Sequence, residues 1–363
     1  MGLCICFAKL TKCLYLYNQN RNRMLKYSFR ALCAAGLMLM AGALAAQDSP
    51  SKEFAIVDLS ANMIREVPDY AGELGDQALM GTVVEILERK GYWVKIRTPE
   101  PYVGWVNEMG LAVRSPEEID RWLSSPRYIC TALLTRIYEE PSVSSAFISD
   151  LVLGDILLKV LKANGEPLAK KGFLAVETPS GKKGFVRKEE LLDFRAWADE
   201  RLRTQESDPE RFRSDLIRTA ACFNGVPYMW GGTSTKNVDC SGLSRTVFFA
   251  NGILLPRNAS QQIHTGEDIT IPCEGELADY SVLQKGDLIF WGRKATEDKP
   301  EKATHVGICI GGGRFIHSSQ LVRINDASTY SRIPLRGRRI VGQVDKKGSG
   351  IISVRRSPWY FKQ

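Results

Sequence analysis

Two of the three histidines in the chain fall within one stretch, THVGICIGGGRFIHSS, from Thr304 to Ser319. That stretch admits little besides an antiparallel hairpin. Two β-prone runs flank three consecutive glycines, which can reverse the chain where other residues resist it. Thr304 to Ile310 reads as a strand, so His305, Gly307 and Cys309 share one face. If Gly311, Gly312 and Gly313 form the loop, Ile310 pairs with Arg314 and Gly307 with His317. His317 then stands diagonally from His305 on the same face, at roughly 7–8 Å between backbones. Gly307, lacking a side chain, leaves room for the imidazole opposite. A two-residue loop would turn His317 to the other face, so the spacing predicts the three-residue loop.

A second stretch supplies a partner for those rings. NVDCSG (Asn237 to Gly242) runs directly into LSRTVFFANG. Leu243, Val247 and Phe248 recur at helical spacing, and Asn251-Gly252 ends the helix. Asp239 suits the N-cap, which puts Cys240 at the helix mouth. Unpaired N–H groups and the positive end of the helix dipole are expected to favour the thiolate there. Ser241 and Gly242 are small enough to let a substrate backbone approach. Nucleophile, base and a group that orients the base are thus all available in Cys240, His305 and His317.

The rest of the chain says where such chemistry would operate. The formal net charge is +8, but residues 1–46 carry six cations and no acid; without them the balance is +2. That leaves no electrostatic case for nucleic acid as a partner. From Met24 the sequence reads MLKYSFRALCAAGLMLMAGALAAQDSP. Lys26 and Arg30 precede an apolar run from Ala31 to Met40, and Ala43-Leu44-Ala45 fits a cleavage site. The run is short for a membrane span. These features predict a secretory signal peptide within residues 1–46, translation from Met24, and a protein that is periplasmic or extracellular with no stable membrane span once cleaved. Five cysteines then remain (Cys130, Cys222, Cys240, Cys273 and Cys309). In an oxidising compartment an odd number leaves at least one thiol free or bonded to another molecule. No C-x-x-C pair or Cys/His zinc spacing occurs there, so neither a metal nor another cofactor is expected.

Ahead of the hairpin and the cysteine helix lie two segments that look like weak repeats. They span residues 52–114 and 127–194. Each opens with turn residues, continues through an apolar strand, and ends on a Gly-aromatic-Val strand: Tyr102-Val103-Gly104-Trp105-Val106 in one, Lys183-Gly184-Phe185-Val186 in the other. Spans of about 60 residues with short strands point to small β-barrels. Between them, SPEEIDRWLSS carries Ser115 and Glu118 at capping-box spacing. Residues 195–208 read as a charged connector. The last domain, 209–363, opens with a helix whose apolar positions include Phe212, Leu216, Ile217 and Ala220.

Five ordered motifs in residues 209–363 carry a resemblance: PYMWGG (Pro227 to Gly232), DCSGL (Asp239 to Leu243), LPRNASQQ (Leu255 to Gln262), LQKGDLIFW (Leu283 to Trp291) and HVGICIGGGRFIHSS. Together they resemble the NlpC-type cell-wall cysteine peptidases, which have a papain-like fold. The two leading segments resemble bacterial SH3-like domains. The implied fold class is α+β, a papain-like catalytic domain preceded by two SH3-like barrels. The whole arrangement is similar to that of γ-D-glutamyl-L-diamino acid endopeptidases, which act on peptidoglycan stem peptides. The resemblance implies that Cys240 is the nucleophile, His305 its base and His317 the orienter. It implies that Tyr228 donates to the oxyanion beside the Cys240 N–H, and that Trp230, Asp239 and Ser241 line the substrate side. Relatives that require a free N-terminal L-alanine are expected to hold its ammonium with an aspartate where this chain has Asn258. Asparagine brings no charge, so the ammonium would need another carboxylate, and the resemblance implies Glu73 in the first barrel as a candidate, with Tyr102 nearby. The departure leaves open how strictly a free amino terminus is needed.

Other functions fit parts of the pattern. An amidase or acyl transferase could use the same Cys-His core on a different carbonyl. A non-catalytic wall-binding protein would be marked by loss of Cys240 or His305, and both are present. The basic run from Arg336 to Arg356 reads as a solvated surface, His264 as a surface residue, and Cys309 as a thiol sharing the His305 face. The oligomeric state and the diamino acid accepted are not encoded in any motif.

Overall fold

A computed structural model describes residues 52–274 and 277–362. The leader and its cleavage site lie outside the described residues. Among those described, no helix is long and apolar enough to cross a membrane.

Residues 53–114 form a seven-stranded antiparallel sheet that runs from Glu53–Val57 to Leu111–Arg114. Residues 127–193 form a second, eight-stranded sheet. Each encloses its own core, Ile64, Val84, Val94 and Val106 in the first, Ile137, Leu151, Val176 and Val186 in the second. The repeated Gly-aromatic-Val strands occupy matching places, and the two glycines share one cause. A Cβ on Gly104 would run into Ile64 and the Arg65 carbonyl; one on Gly184 would run into Ile137 and the Tyr138 carbonyl. Each glycine lets two strands approach where a side chain would hold them apart.

Helix α1, Pro116–Ser124, joins the barrels, and Ser115 and Glu118 form its capping box. Residues 195–208, read as a charged connector, fall almost entirely in a helix: α2, Phe194–Ser207, capped by Asp193. Most of its surface is charged, and only one narrow side is buried. Phe194, Trp197 and Ala198 pack with Trp122, Phe249, Tyr360 and Phe361 in an aromatic core shared by all three domains. Helix α3, Pro209–Ala221, follows at once with Asp208 as its cap.

The last domain is built on a six-stranded antiparallel sheet. Its strands, in chain order, are β1 Glu267–Ile269, β2 Leu288–Arg293, β3 Lys302–Gly311, β4 Arg314–Ser319, β5 Leu321–Asp326 and β6 Pro334–Arg339, arranged β1-β6-β2-β3-β4-β5. Helix α4, Cys240–Phe249, lays Leu243, Val247 and Phe248 against Phe290, Val306, Ile308 and Ile316 on one face of that sheet. A short helix α5, Ala259–Gln262, follows the LPRN segment.

The hairpin corrects one expectation and explains why its consequence survives. The loop is two residues, Gly312-Gly313, with Gly311 paired to Arg314. A bulge between Cys309 and Gly311 then shifts the register, so Cys309 pairs with Phe315 and Ile308 with Ile316. The extra residue restores the parity that a two-residue loop alone would break. His317 therefore stays on the face of His305, and a Cβ on Gly307 would meet Phe315, Trp291 and the His317 Cβ.

The first barrel and the catalytic domain are joined by buried charge. Asp76 is fully buried and pairs with Arg245 Nη1 at 2.6 Å and with Arg257 Nε at 3.0 Å. Arg245 also holds Glu100 at 2.9 Å, and Arg257 holds Asp239 at 2.5 Å. Burial raises the Glu100 pKa, with Asp76 adding to the effect. Thr233 completes the seam, donating its N–H to Gln77 Oε1 at 2.8 Å. The second barrel joins through Lys236, which pairs with Asp150 at 2.7 Å and donates to Ser60 at 2.9 Å. Removing one member of a buried ion network strands its partners, at a cost of about 3–5 kcal/mol. Asp76→Ala should lower the unfolding free energy by that order in a urea titration followed by tryptophan fluorescence; a wild-type midpoint would contradict the role of the seam.

Candidate active site

Cys240 is the first residue of α4, and the chain reaches it through a cap that is unusually well held. The Asp239 carboxylate accepts from Gly242 N at 2.7 Å and from Gly231 N at 3.0 Å. Arg257 clamps the same carboxylate, and its Nη1 also donates to Ser241 Oγ at 3.1 Å. A Cβ on Gly242 would collide with the Gly232 carbonyl, so that glycine fits the helix against the PYMWGG turn. Ser241 is buried within the Asp239–Arg257 cluster.

The sulfur meets the sheet at a defined place. The Val306 N–H points at the thiol and favours its anion, so Cys240 touches β3 at the peptide joining His305 to Val306. His305 Nε2 lies 2.6 Å from His317 Nδ1, and His317 Nε2 lies 3.1 Å from Asn325 Oδ1. These contacts fix the protons. An amide oxygen only accepts, so His317 Nε2 carries hydrogen and, in the neutral ring, Nδ1 carries the lone pair. His305 Nε2 must then donate to it, which leaves His305 Nδ1 as the basic nitrogen. Asn325 is thus a residue that sequence reasoning missed. It sits on β5, diagonal to His317, and only the pairing of β4 with β5 (Phe315 opposite Asn325) brings it there.

Aromatic rings hold the pair rigid. Trp291, fully buried, lies 5.7 Å from His305 between centroids, and Tyr330 meets His317 edge-on at 5.5 Å. Burial governs the protonation states. It pushes the Cys240 thiol up to about 11, with the Asp239 charge adding to the rise. It pushes His305 down to about 3, helped by His317 and Arg332. Both shifts favour the neutral forms, thiol and imidazole, against the thiolate expected from the helix terminus. The helix dipole and the Val306 and Ser241 N–H groups favour the anion, but desolvation and a neighbouring carboxylate outweigh them.

The other predicted positions are more scattered. Tyr228 is half-buried; burial, then Cys240 and Asp239, push its phenol up to about 12, so it stays protonated and able to donate. Trp230 is 61% exposed. Asn258 is exposed, and Gln261 Oε1 accepts its backbone N–H at 3.0 Å. Glu73 is exposed on the first barrel's hairpin, where its carbonyl accepts from Glu66 N at 3.0 Å. The Tyr102 hydroxyl lies against Gly75, and Asp76, Arg257, Glu66 and Glu73 all act on it electrostatically. Glu73 and Tyr102 are therefore close to each other and to the Arg257 end of the seam. Cys309 is buried beside Trp291 and Phe315, and His264 is exposed. All five described cysteines are free. Among the described residues no three His, Cys, Asp or Glu side chains gather as a metal site would require.

Comparison with known proteins agrees with this layout. The NlpC/P60 family pattern matches residues 225–336, and a bacterial dipeptidyl-peptidase SH3 domain pattern matches residues 64–111. The chain is 30% identical to the γ-D-glutamyl-L-lysine dipeptidyl-peptidase of Bacillus cereus, over 70% of this chain and 69% of that one. It is 26% identical to dipeptidyl-peptidase 6 of Lysinibacillus sphaericus, over 73% and 86% respectively. A crystal structure of an NlpC/P60 family protein from Bacillus cereus superposes with a TM-score of 0.62 at 25% identity, covering 79% of this chain and 99% of that one.

Two measurements probe the site. Alkylation of Cys240 by iodoacetamide should accelerate as pH rises through neutrality toward about 11. A plateau already reached below pH 7 would mean a resting ion pair instead. Asn325→Leu frees His317 to take the other tautomer. It should lower kcat by about tenfold or more with little change in KM, since a misassigned tautomer removes the base rather than the binding site; an unaltered kcat would show that Asn325 sets no proton.

Proposed function

The chain belongs to the NlpC/P60 family, and from that premise we propose that it is an exported cysteine peptidase cutting the γ-D-glutamyl–diamino acid bond of peptidoglycan stem peptides. The observation that carries the reading is the hydrogen-bonded line His305, His317, Asn325, which begins on the strand whose Val306 N–H meets the Cys240 sulfur.

Substrate binding displaces solvent at the mouth of α4. His305 Nδ1 takes the Cys240 proton as the sulfur attacks the γ-carbonyl of the D-glutamyl residue. The carbonyl oxygen gains charge, and the Tyr228 hydroxyl with the Cys240 N–H at the helix end receives it in this reading; one such donor is worth about 10²–10³ in rate. The imidazolium formed on His305 is shared through Nε2–H with His317, whose own orientation Asn325 holds. Collapse of the tetrahedral adduct breaks the C–N bond, and His305 Nδ1–H protonates the departing amine. Water, deprotonated by the same nitrogen, then releases the acyl group and restores the thiol. Because the resting pair is neutral, the sulfur becomes an anion only as attack begins, which limits side reactions in an oxidising compartment.

Trp230, two residues beyond Tyr228, offers an exposed ring for the substrate to pack on. In this reading Glu73, with Tyr102 near it on the first barrel, takes a free N-terminal ammonium, the charge that Asn258 cannot balance. Two tests separate the parts. Cys240→Ala should abolish release of the dipeptide from L-Ala-γ-D-Glu-diaminopimelate, read by mass spectrometry, with the thermal unfolding midpoint retained; continued cleavage would rule out this nucleophile. Glu73→Ala should erase the preference for a free over an acetylated amino terminus. An undiminished preference would remove the barrel from recognition.

A further inference from the structure

Two arginines stand beside the histidine pair without a counter-charge. Arg323 lies directly across from His317 in the β4–β5 ladder, on the same face, and is exposed. Arg332 follows Tyr330, whose ring packs edge-on against His317, and it too is exposed. Neither makes an ion pair among the described residues, although the neighbouring arginines Arg336, Arg338 and Arg339 all do. The groups around the imidazoles are therefore Cys240 from α4, Arg323 from β5, and Tyr330 and Arg332 from the segment before β6.

That arrangement opposes the chemistry unless something neutralises it. Both arginines disfavour a positive charge on His317, and Arg332 disfavours one on His305. The proposed reaction passes through an imidazolium, so two free cations here raise its energy. They would be tolerable if the substrate brought an anion to them. The side of the substrate concerned follows from the mechanism: His305 protonates the departing amine, so the released amino acid lies on the histidine side of the sulfur, the side on which Arg323 and Arg332 act.

We propose that Arg323 and Arg332 bind a side-chain carboxylate on the amino acid released from the scissile bond, and so select a carboxylated diamino acid such as diaminopimelate over lysine. This rests on the peptidase reading above. A guanidinium–carboxylate contact supplies geometry as well as charge, and on this chain it also offsets the cations that the imidazolium must face.

The test compares kcat/KM on three tripeptides: L-Ala-γ-D-Glu-meso-diaminopimelate, the same peptide with the diaminopimelate side-chain carboxyl amidated, and L-Ala-γ-D-Glu-L-lysine. The wild-type protein should favour the first by about ten- to hundredfold, the range a charged hydrogen bond commands, with the amidated peptide behaving like lysine. Arg323→Gln and Arg332→Gln should each shrink that preference. On the lysine peptide the same variants should move the acid limb of kcat/KM to higher pH, because a cation beside the imidazoles is gone. Equal turnover of the three peptides, or a preference that survives both substitutions, overturns the assignment. If none of the peptides is cut, the peptidase reading itself fails, and this inference with it.

Discussion

A single guanidinium ties the architecture to the chemistry. Arg257 is 2% exposed and reaches Asp76 on the first barrel with one edge and the Asp239 cap of α4 with another. Its burial is costly alone and tolerable only because two carboxylates face it. The consequence is mechanical: the cap that sets where Cys240 sits is held, through Arg257, by a residue of a different domain. Arg245 runs parallel to it, from the middle of the same helix to Asp76 and Glu100. The barrel is thus built into the catalytic domain, and any movement between them would break charged contacts sealed from water.

This explains how a small domain can shape a site it does not chemically join. The strand carrying Asp76 follows the hairpin that presents Glu66 and Glu73, and Tyr102 lies across Gly75 between them. Fixing Asp76 therefore fixes Glu66, Glu73 and Tyr102 at the same time. The second barrel contributes to rigidity instead, through Lys236 with Asp150 and through the Arg127 guanidinium, which donates to the Tyr360 carbonyl at 2.6 Å near the end of the chain.

The reactive groups are kept neutral at rest by the same exclusion of water. Burial dominates the shifts of Cys240, His305, His317 and Tyr228 alike. A helix terminus stabilises an anion by a modest amount, whereas loss of hydration costs several times more. What remains is a site in which proton positions, rather than fixed charges, are prearranged, and in which Asn325 sets the first of them.

The sequence by itself determined the local features. The Ser115 capping box and the Asp239 cap follow from side-chain chemistry that acts within a few residues, and strand alternation puts His305, Gly307 and Cys309 on one face. Long-range order was another matter. Residues 195–208 are charged enough to pass for a connector, and only the aromatic core shared by three domains makes them a helix. The loop length of the glycine hairpin was misjudged because a bulge at Ile310 compensates for it, and bulges leave no trace in composition. Asn325, Arg323 and Arg257 read as ordinary polar residues until strand pairing and domain contact bring them to the site. The tertiary structure alone decided their parts, because hydrogen bonds and ion pairs depend on separation in space, and the nearest sequence neighbours carry no record of it.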